Sequence, residues 1–175
     1  MRLQSDVMVE ERVIIDFKKF TDSLNKESDR AIPLITAAII EEILHRTLKA
    51  FFCDVAASKK MLEGFNAPLG TFSSKLDACY ALGLIDEYEF NEINLIRKVR
   101  NEFAHTAYDA DFNIQKVKDL CMTLKSSLPA NTEEEAKVFS ARSRFNNAAI
   151  CLLVGLYYRP EYVIKDKRKI KNWTQ

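Results

Sequence analysis

Glycine and proline are scarce in this chain, four of each in 175 residues. A fold built from many tight turns and short strands needs more of both, so a turn-rich β architecture is excluded. Histidine is scarcer still, with two residues. The four cysteines, Cys53, Cys79, Cys121 and Cys151, stand singly among apolar neighbours with no CxxC pair. Neither a usual zinc site nor a disulfide framework is spelled by that set, and no metal or cofactor is expected. Four buried thiols in a reducing compartment are the expectation. No apolar run approaches the ~20 residues of a membrane span. The opening MRLQSDVMVEERV is charged and lacks the apolar centre of a signal peptide. A cytoplasmic location with no membrane contact is expected. Excess charge is also missing: the net value is +1, so no global field draws the molecule to nucleic acid. Zinc-finger, RNP and basic-zipper patterns are absent, as is the compact helix-turn-helix, so no sequence-specific DNA contact is expected.

What remains is helical periodicity. Residues 8 to 26 carry Val9, Val13, Ile14, Phe17, Phe20 and Leu24 on one face. Ser28 or Asp29 is placed to cap a second helix, with Pro33 tolerated in its first turn. That helix is apolar nearly all round from Ala31 to Ile40, as a central element would be, and runs to about Phe52. A short helical or irregular piece, VAASKKMLE, leads to the loop GFNAPLG at 64 to 70. No Gly-Lys-Ser/Thr follows, so this is not a phosphate-binding loop. Thr71 or Ser73 caps the next helix, which stops at Gly83 with Phe72, Leu76, Cys79, Tyr80 and Leu82 turned inward. Asp86 and Glu89 form a capping box that opens a helix to His105. Asp111 or Asn113 caps a helix over 114 to 125, with Val117, Leu120, Cys121 and Leu124 inward. After the break SSLPAN, Thr132 and Glu135 open one long helix over 133 to 158. Val138, Phe145, Ala149, Leu152 and Leu156 mark its buried stripe. The expected architecture is an all-α bundle of six or seven helices with a long C-terminal helix. One domain covers 1 to 158. Residues 159 to 175 form a basic tail, six Lys and Arg against one Glu and one Asp, suited to RNA, DNA or an acidic partner, or to solvent.

The helix from Asp86 to His105 carries the strongest chemical signal. Ile93, Ile96, Val99 and Phe103 make its apolar stripe, and Arg100 projects between Ile93 and Ile96. A guanidinium there cannot shed its charge and needs an acceptor, for which Glu41 or Glu42 is available. Asn101 follows it, and His105 ends the run. On a continuous helix His105 points about 140° away from Arg100, so either the helix ends before His105 and the chain turns it back, or the two residues meet across a twofold dimer interface. Glu41 and His45 also share a helix face, a spacing that serves a metal, an acid–base pair or a plain surface hydrogen bond.

Two family resemblances attach to these residues. The segment GFNAPLGTFSSKLDACYALGLIDEYEF resembles the signature region of the mannitol operon repressor family. Its Pro-Leu-Gly loop is Pro68, Leu69 and Gly70; its Ser-bearing helix holds Ser73 and Leu76; its Tyr-x-Leu-Gly-x-Ile is Tyr80, Leu82, Gly83 and Ile85. The close match spans about 64 to 105. It implies an all-helical regulator that represses through protein contacts rather than direct DNA reading, with the phosphocarrier protein of the sugar phosphotransferase system as a partner. RNEFAH is similar to the Arg-polar-x-x-x-His signature of HEPN bundles, many of them metal-independent ribonucleases of toxin or defence systems. The likeness implies that Arg100 grips a phosphate, that His105 exchanges a proton with the ribose 2′-OH or the leaving oxygen, and that Asn101 orients them. It also implies a homodimer whose twofold interface joins the arginine of one copy to the histidine of the other. A third expectation makes the same residues a non-catalytic dimerisation module, with His105 completing the C-terminal end of its helix.

Overall fold

The computed structural model describes residues 19–22, 24, 26–106 and 110–173. It is an all-α bundle, with eight α-helices and one 3-10 turn among the described residues. In chain order these are α1 (Ala31–Phe51), α2 (Ala56–Leu62), α3 (Phe72–Ala81), α4 (Glu87–His105), α5 (Gln115–Met122), α6 (Glu133–Lys137), α7 (Ala141–Leu156) and α8 (Arg159–Val163), with the turn at Ile164–Asp166. Most of the amphipathic stretch 8 to 26 lies outside the described residues; Phe20 and Leu24 are helical and buried.

The apolar α1 is central and packs against α3, α4, α7 and α8. Ile32, Ile40, Leu44 and Leu48 are fully enclosed, and the buried Thr47 returns its hydroxyl to Ile43 O at 2.8 Å. Ser28 accepts the Ala31 N–H at its start. Asp29 works elsewhere: its carboxylate pairs with Arg142 and accepts the Phe112 N–H at 3.3 Å. The Ile93, Ile96, Val99 and Phe103 stripe of α4 is buried against this layer. Phe103, Phe112 and Phe145 then form a chain of tilted rings with centroids 5.1 and 5.5 Å apart, tying α4 to α7.

Several expectations are corrected. The single helix over 133 to 158 is broken after Lys137. Ser140 accepts the Ser143 N–H at 3.1 Å and starts α7 afresh, while Arg144 donates to Ala136 O at 2.7 Å across the break. Val138, assigned to the buried stripe, sits in the break and is 83% exposed. Neither Asp111 nor Asn113 caps α5. Asp111 instead accepts the Asn113 N–H at 2.8 Å and closes a tight turn before it. Tyr80 and Leu82 are exposed because α3 ends there, and Tyr80 stacks on Phe90 at 4.4 Å.

The basic segment from residue 159 begins as packed structure rather than as a solvated tail. Pro160 and Val163 are buried against α1. Arg159 donates to Glu89 Oε1 at 2.5 Å and to Leu84 O at 2.9 Å.

The four thiols also divide. Cys79 and Cys121 are buried, Cys53 is half-buried and Cys151 is exposed. Burial pushes the Cys79 and Cys121 thiols from 9.0 up to about 12. Their folded-state values are raised, so their contribution to stability is complete below pH 9.0 and is lost as pH climbs toward about 12. A thiol-disulfide reagent at pH 8 is expected to label Cys151 and Cys53 quickly, and Cys79 and Cys121 only on unfolding. Four equally fast thiols, counted by mass, would contradict this packing.

Candidate functional site

The last two turns of α4 hold the Arg100, Asn101 and His105 set. Asp86 caps the start of the helix, accepting the Glu89 N–H at 2.7 Å while Glu89 Oε2 accepts the Asp86 N–H at 3.0 Å. Thr106 closes the other end, its hydroxyl donating to Glu102 O at 2.8 Å. Arg100 is half-buried and donates to Asn101 Oδ1 at 3.1 Å. Arg97 one turn earlier is held in a similar way by Asn94, at 2.9 and 3.2 Å. His105 is exposed, and among the described residues no hydrogen bond or ion pair joins it to Arg100.

The acceptors expected for Arg100 are engaged or turned away. Glu41 Oε1 takes the Lys75 ammonium at 2.8 Å, and Glu42 is exposed on the rim of a cleft beside α1. Arg100 projects between the fully buried Ile93 and Ile96, but it is half-buried in the last two turns of α4, where so long a side chain carries its guanidinium toward solvent. Glu92 projects between Phe103 and Val99 on the buried arc and is 1% exposed. Its carboxylate accepts the Lys125 N–H at 2.8 Å, the Ser126 N–H at 3.1 Å and the Ser126 hydroxyl at 2.7 Å. The deeply buried charge of this helix is therefore a carboxylate that fixes the loop after α5. Ser126 also bonds the Tyr88 hydroxyl at 2.8 Å. Burial pushes that phenol above its ordinary range, against the lowering effect of the Ser126 bond, and the Glu92 charge adds to the rise.

Glu41 and His45 do not act on one another. His45 Nε2 lies 4.0 Å from Glu63 Oε1, the oxygen that also receives Lys49 at 3.2 Å. The Lys49 hydrogen bond holds the Glu63 carboxyl below the usual carboxylate range. No group of three or more His, Cys, Asp and Glu among the described residues is placed to hold a metal ion. No helix among them is long and apolar enough to cross a membrane.

The signature segment makes a well-defined surface. Leu69 N–H donates to Met61 O at 2.8 Å, and Gly70 N–H donates to Ala67 O at 2.8 Å. A Cβ on Gly70 would meet that carbonyl oxygen at 2.9 Å, so the turn requires glycine. Lys75, buried on α3, donates to Gly70 O at 3.1 Å and to Glu41, clamping the loop to α1. Thr71, rather than Ser73, caps α3 and exchanges bonds with Ser74; Ser73 is half-buried. Gly83 closes α3 at φ 68°, with its N–H on Tyr80 O at 2.9 Å and the Leu84 N–H on Cys79 O at 2.8 Å. Pro68 is exposed, and Phe65 at the loop tip is 99% exposed. Sequence periodicity gave no sign of Phe65 as a surface group, since it sits in a loop without a period.

An apolar cleft of about 500 Å³ opens between α1 and α7, lined by Ile35, Ile39, Ile43, Leu153 and Tyr157. None of the predicted catalytic residues lines it.

No family model and no curated protein matches the chain. Among solved structures, a chain of the X-ray structure of the MtlR-HPr complex from Escherichia coli is 20% identical, at a TM-score of 0.53, with 86% of this chain and 96% of that chain covered. At that identity the likeness is one of architecture, and it extends along nearly the whole bundle: this chain has an MtlR-like all-helical fold.

Proposed function

We propose that this chain is a regulator of the mannitol repressor type that works by binding another protein, with HPr as the first partner to test. The observation that carries this is the fold shared, over 86% of the chain, with a chain solved in an MtlR-HPr complex. The segment 64 to 105, which carries the resemblance, is the face we assign to the contact. That segment folds as one clamped loop and helical hairpin, which offers a rigid and partly apolar face to a partner. A preorganised surface loses less freedom on association than a loose one. Phe65 is the anchor we assign to this face, because a fully exposed ring on a pinned loop is suited to fill a partner's pocket.

The test is calorimetric titration of the purified chain with HPr. A saturable complex in the micromolar range is expected. Phe65→Ala should weaken it about tenfold while leaving the circular dichroism spectrum unchanged. No heat and no co-elution on size exclusion, from a protein that is demonstrably helical, would overturn the assignment to this partner.

A further inference from the structure

We propose that the C-terminal strip, residues 164 to 173, is a binding surface for single-stranded polynucleotide, independent of the protein-contact face. The strip IKDKRKIKNW holds five Lys and Arg against Asp166 alone, whereas the whole chain nets +1, so the remainder of the molecule is negative. Positive charge is thus gathered in one place. Beyond the 3-10 turn, which holds Lys165, the residues Lys167, Lys169 and Lys171 fall on every second position, and in an extended segment alternate positions share one side.

The strip is mounted on the bundle. Arg168 N–H donates to Phe51 O at 2.8 Å, and its guanidinium lies 5.0 Å from the centre of the Phe51 ring. That contact fixes the strip at the C-terminal end of α1. There Lys167 shares the wall of an open hollow with Lys49 and Lys59, which both pair with Glu63, and with Asp54, three lysines against two carboxylates.

Aromatic rings frame the cations. Tyr162 is 63% and Trp173 86% exposed, and each carries a lysine ammonium over its face, Lys165 at 5.5 Å and Lys171 at 5.8 Å. Exposed rings interleaved with lysines are what a single strand uses: phosphates meet the ammonium groups and bases stack on the rings, with little preference for sequence. An acidic protein surface would use the lysines and leave both rings idle. The absence of a DNA-reading motif agrees with binding that ignores base identity.

Trp173 is the only tryptophan in the chain, so intrinsic fluorescence reports on the strip itself. The full chain is titrated at about 50 mM salt with oligo-uridine and with oligo-thymidine, and in parallel with poly-glutamate and phosphatidylglycerol vesicles. Quenching by an oligonucleotide is expected, with log affinity falling against log salt at a slope of about −2 to −3, three or four phosphates being neutralised. A response to oligo-uridine alone assigns RNA; a response to oligo-thymidine alone assigns DNA; either supports the proposal. The exposed pair Lys169→Glu and Lys171→Glu, made together, should weaken binding at least tenfold with an unchanged circular dichroism spectrum. No quenching and no change in anisotropy of a labelled oligonucleotide overturns the proposal. So does an equal response to poly-glutamate or to vesicles, or a charge-reversed variant that binds as well as the parent.

Discussion

Glu92→Ala is expected to destabilise the protein by about 3 kcal/mol. The carboxylate is 1% exposed and accepts three hydrogen bonds from Lys125 and Ser126. Alanine removes both acceptor oxygens and with them all three bonds at once, and leaves the Ser126 N–H enclosed without a replacement in view. Hydrogen bonds to a charged acceptor contribute about 1.5–3 kcal/mol each, and a buried orphan donor costs about 1–3 kcal/mol. The terms do not add fully, because Lys125 is exposed and water reaches its backbone. For a chain of this size each kcal/mol lowers the melting temperature by roughly 2–4 °C, so a fall of about 10 °C is expected. Glu92→Gln keeps the shape and one acceptor oxygen, and should lose about half as much. Urea unfolding of the three proteins measures this. A loss below about 1 kcal/mol for alanine would mean that the loop after α5 holds itself without Glu92.

Projection alone already held part of that result. At about 100° per residue Glu92 falls some 20° from Phe103, within the buried arc. An arginine in an apolar stripe stands out in a sequence, and the neighbours Asn101 and His105 complete a motif around Arg100. Motif spacing is a property of the chain, whereas bringing the groups together is a property of the packing. Within one chain the packing gives Arg100 to Asn101 and leaves His105 exposed. Local signals were legible for the same reason that they are local. The Asp86–Glu89 box, the Thr71 cap and the Gly83 stop each involve residues within a few positions of one another. The break before α7 was written as well, in Ser140 with Ser143 three residues on, but apolar spacing from Val138 to Phe145 ran through it and hid it. The docking of α8 had no local sign. Its decisive partner, Glu89, lies 70 positions away.

That partnership yields the second large effect. Arg159→Ala is expected to cost about 2–4 kcal/mol, because it strands a carboxylate that the fold has enclosed. The Glu89 side chain is 10% exposed, and Arg159 supplies a bond at 2.5 Å to its Oε1. The other oxygen, Oε2, is committed to the Asp86 N–H at 3.0 Å and cannot swing away without opening the capping box of α4. Arg159 also satisfies Leu84 O at 2.9 Å in the α3–α4 turn, so one side chain joins α8 to that turn and to the first turn of α4. The guanidinium is about a quarter exposed, which keeps the cost toward the lower part of the range. Arg159→Lys restores the charge but not the fork that reaches both acceptors, and should recover about half. The discriminating measurement is a double-mutant cycle with Glu89→Gln. If the pair acts as described, the double variant is less damaged than the sum of the singles by about 1–3 kcal/mol. Strict additivity would mean that α8 is held by Pro160 and Val163 alone and that the ion pair is incidental. Hydrogen exchange separates the two cases further: with Arg159→Ala, amides of Glu161 to Val163 should exchange ahead of the core amides of α1, whereas apolar anchoring alone leaves the two in step.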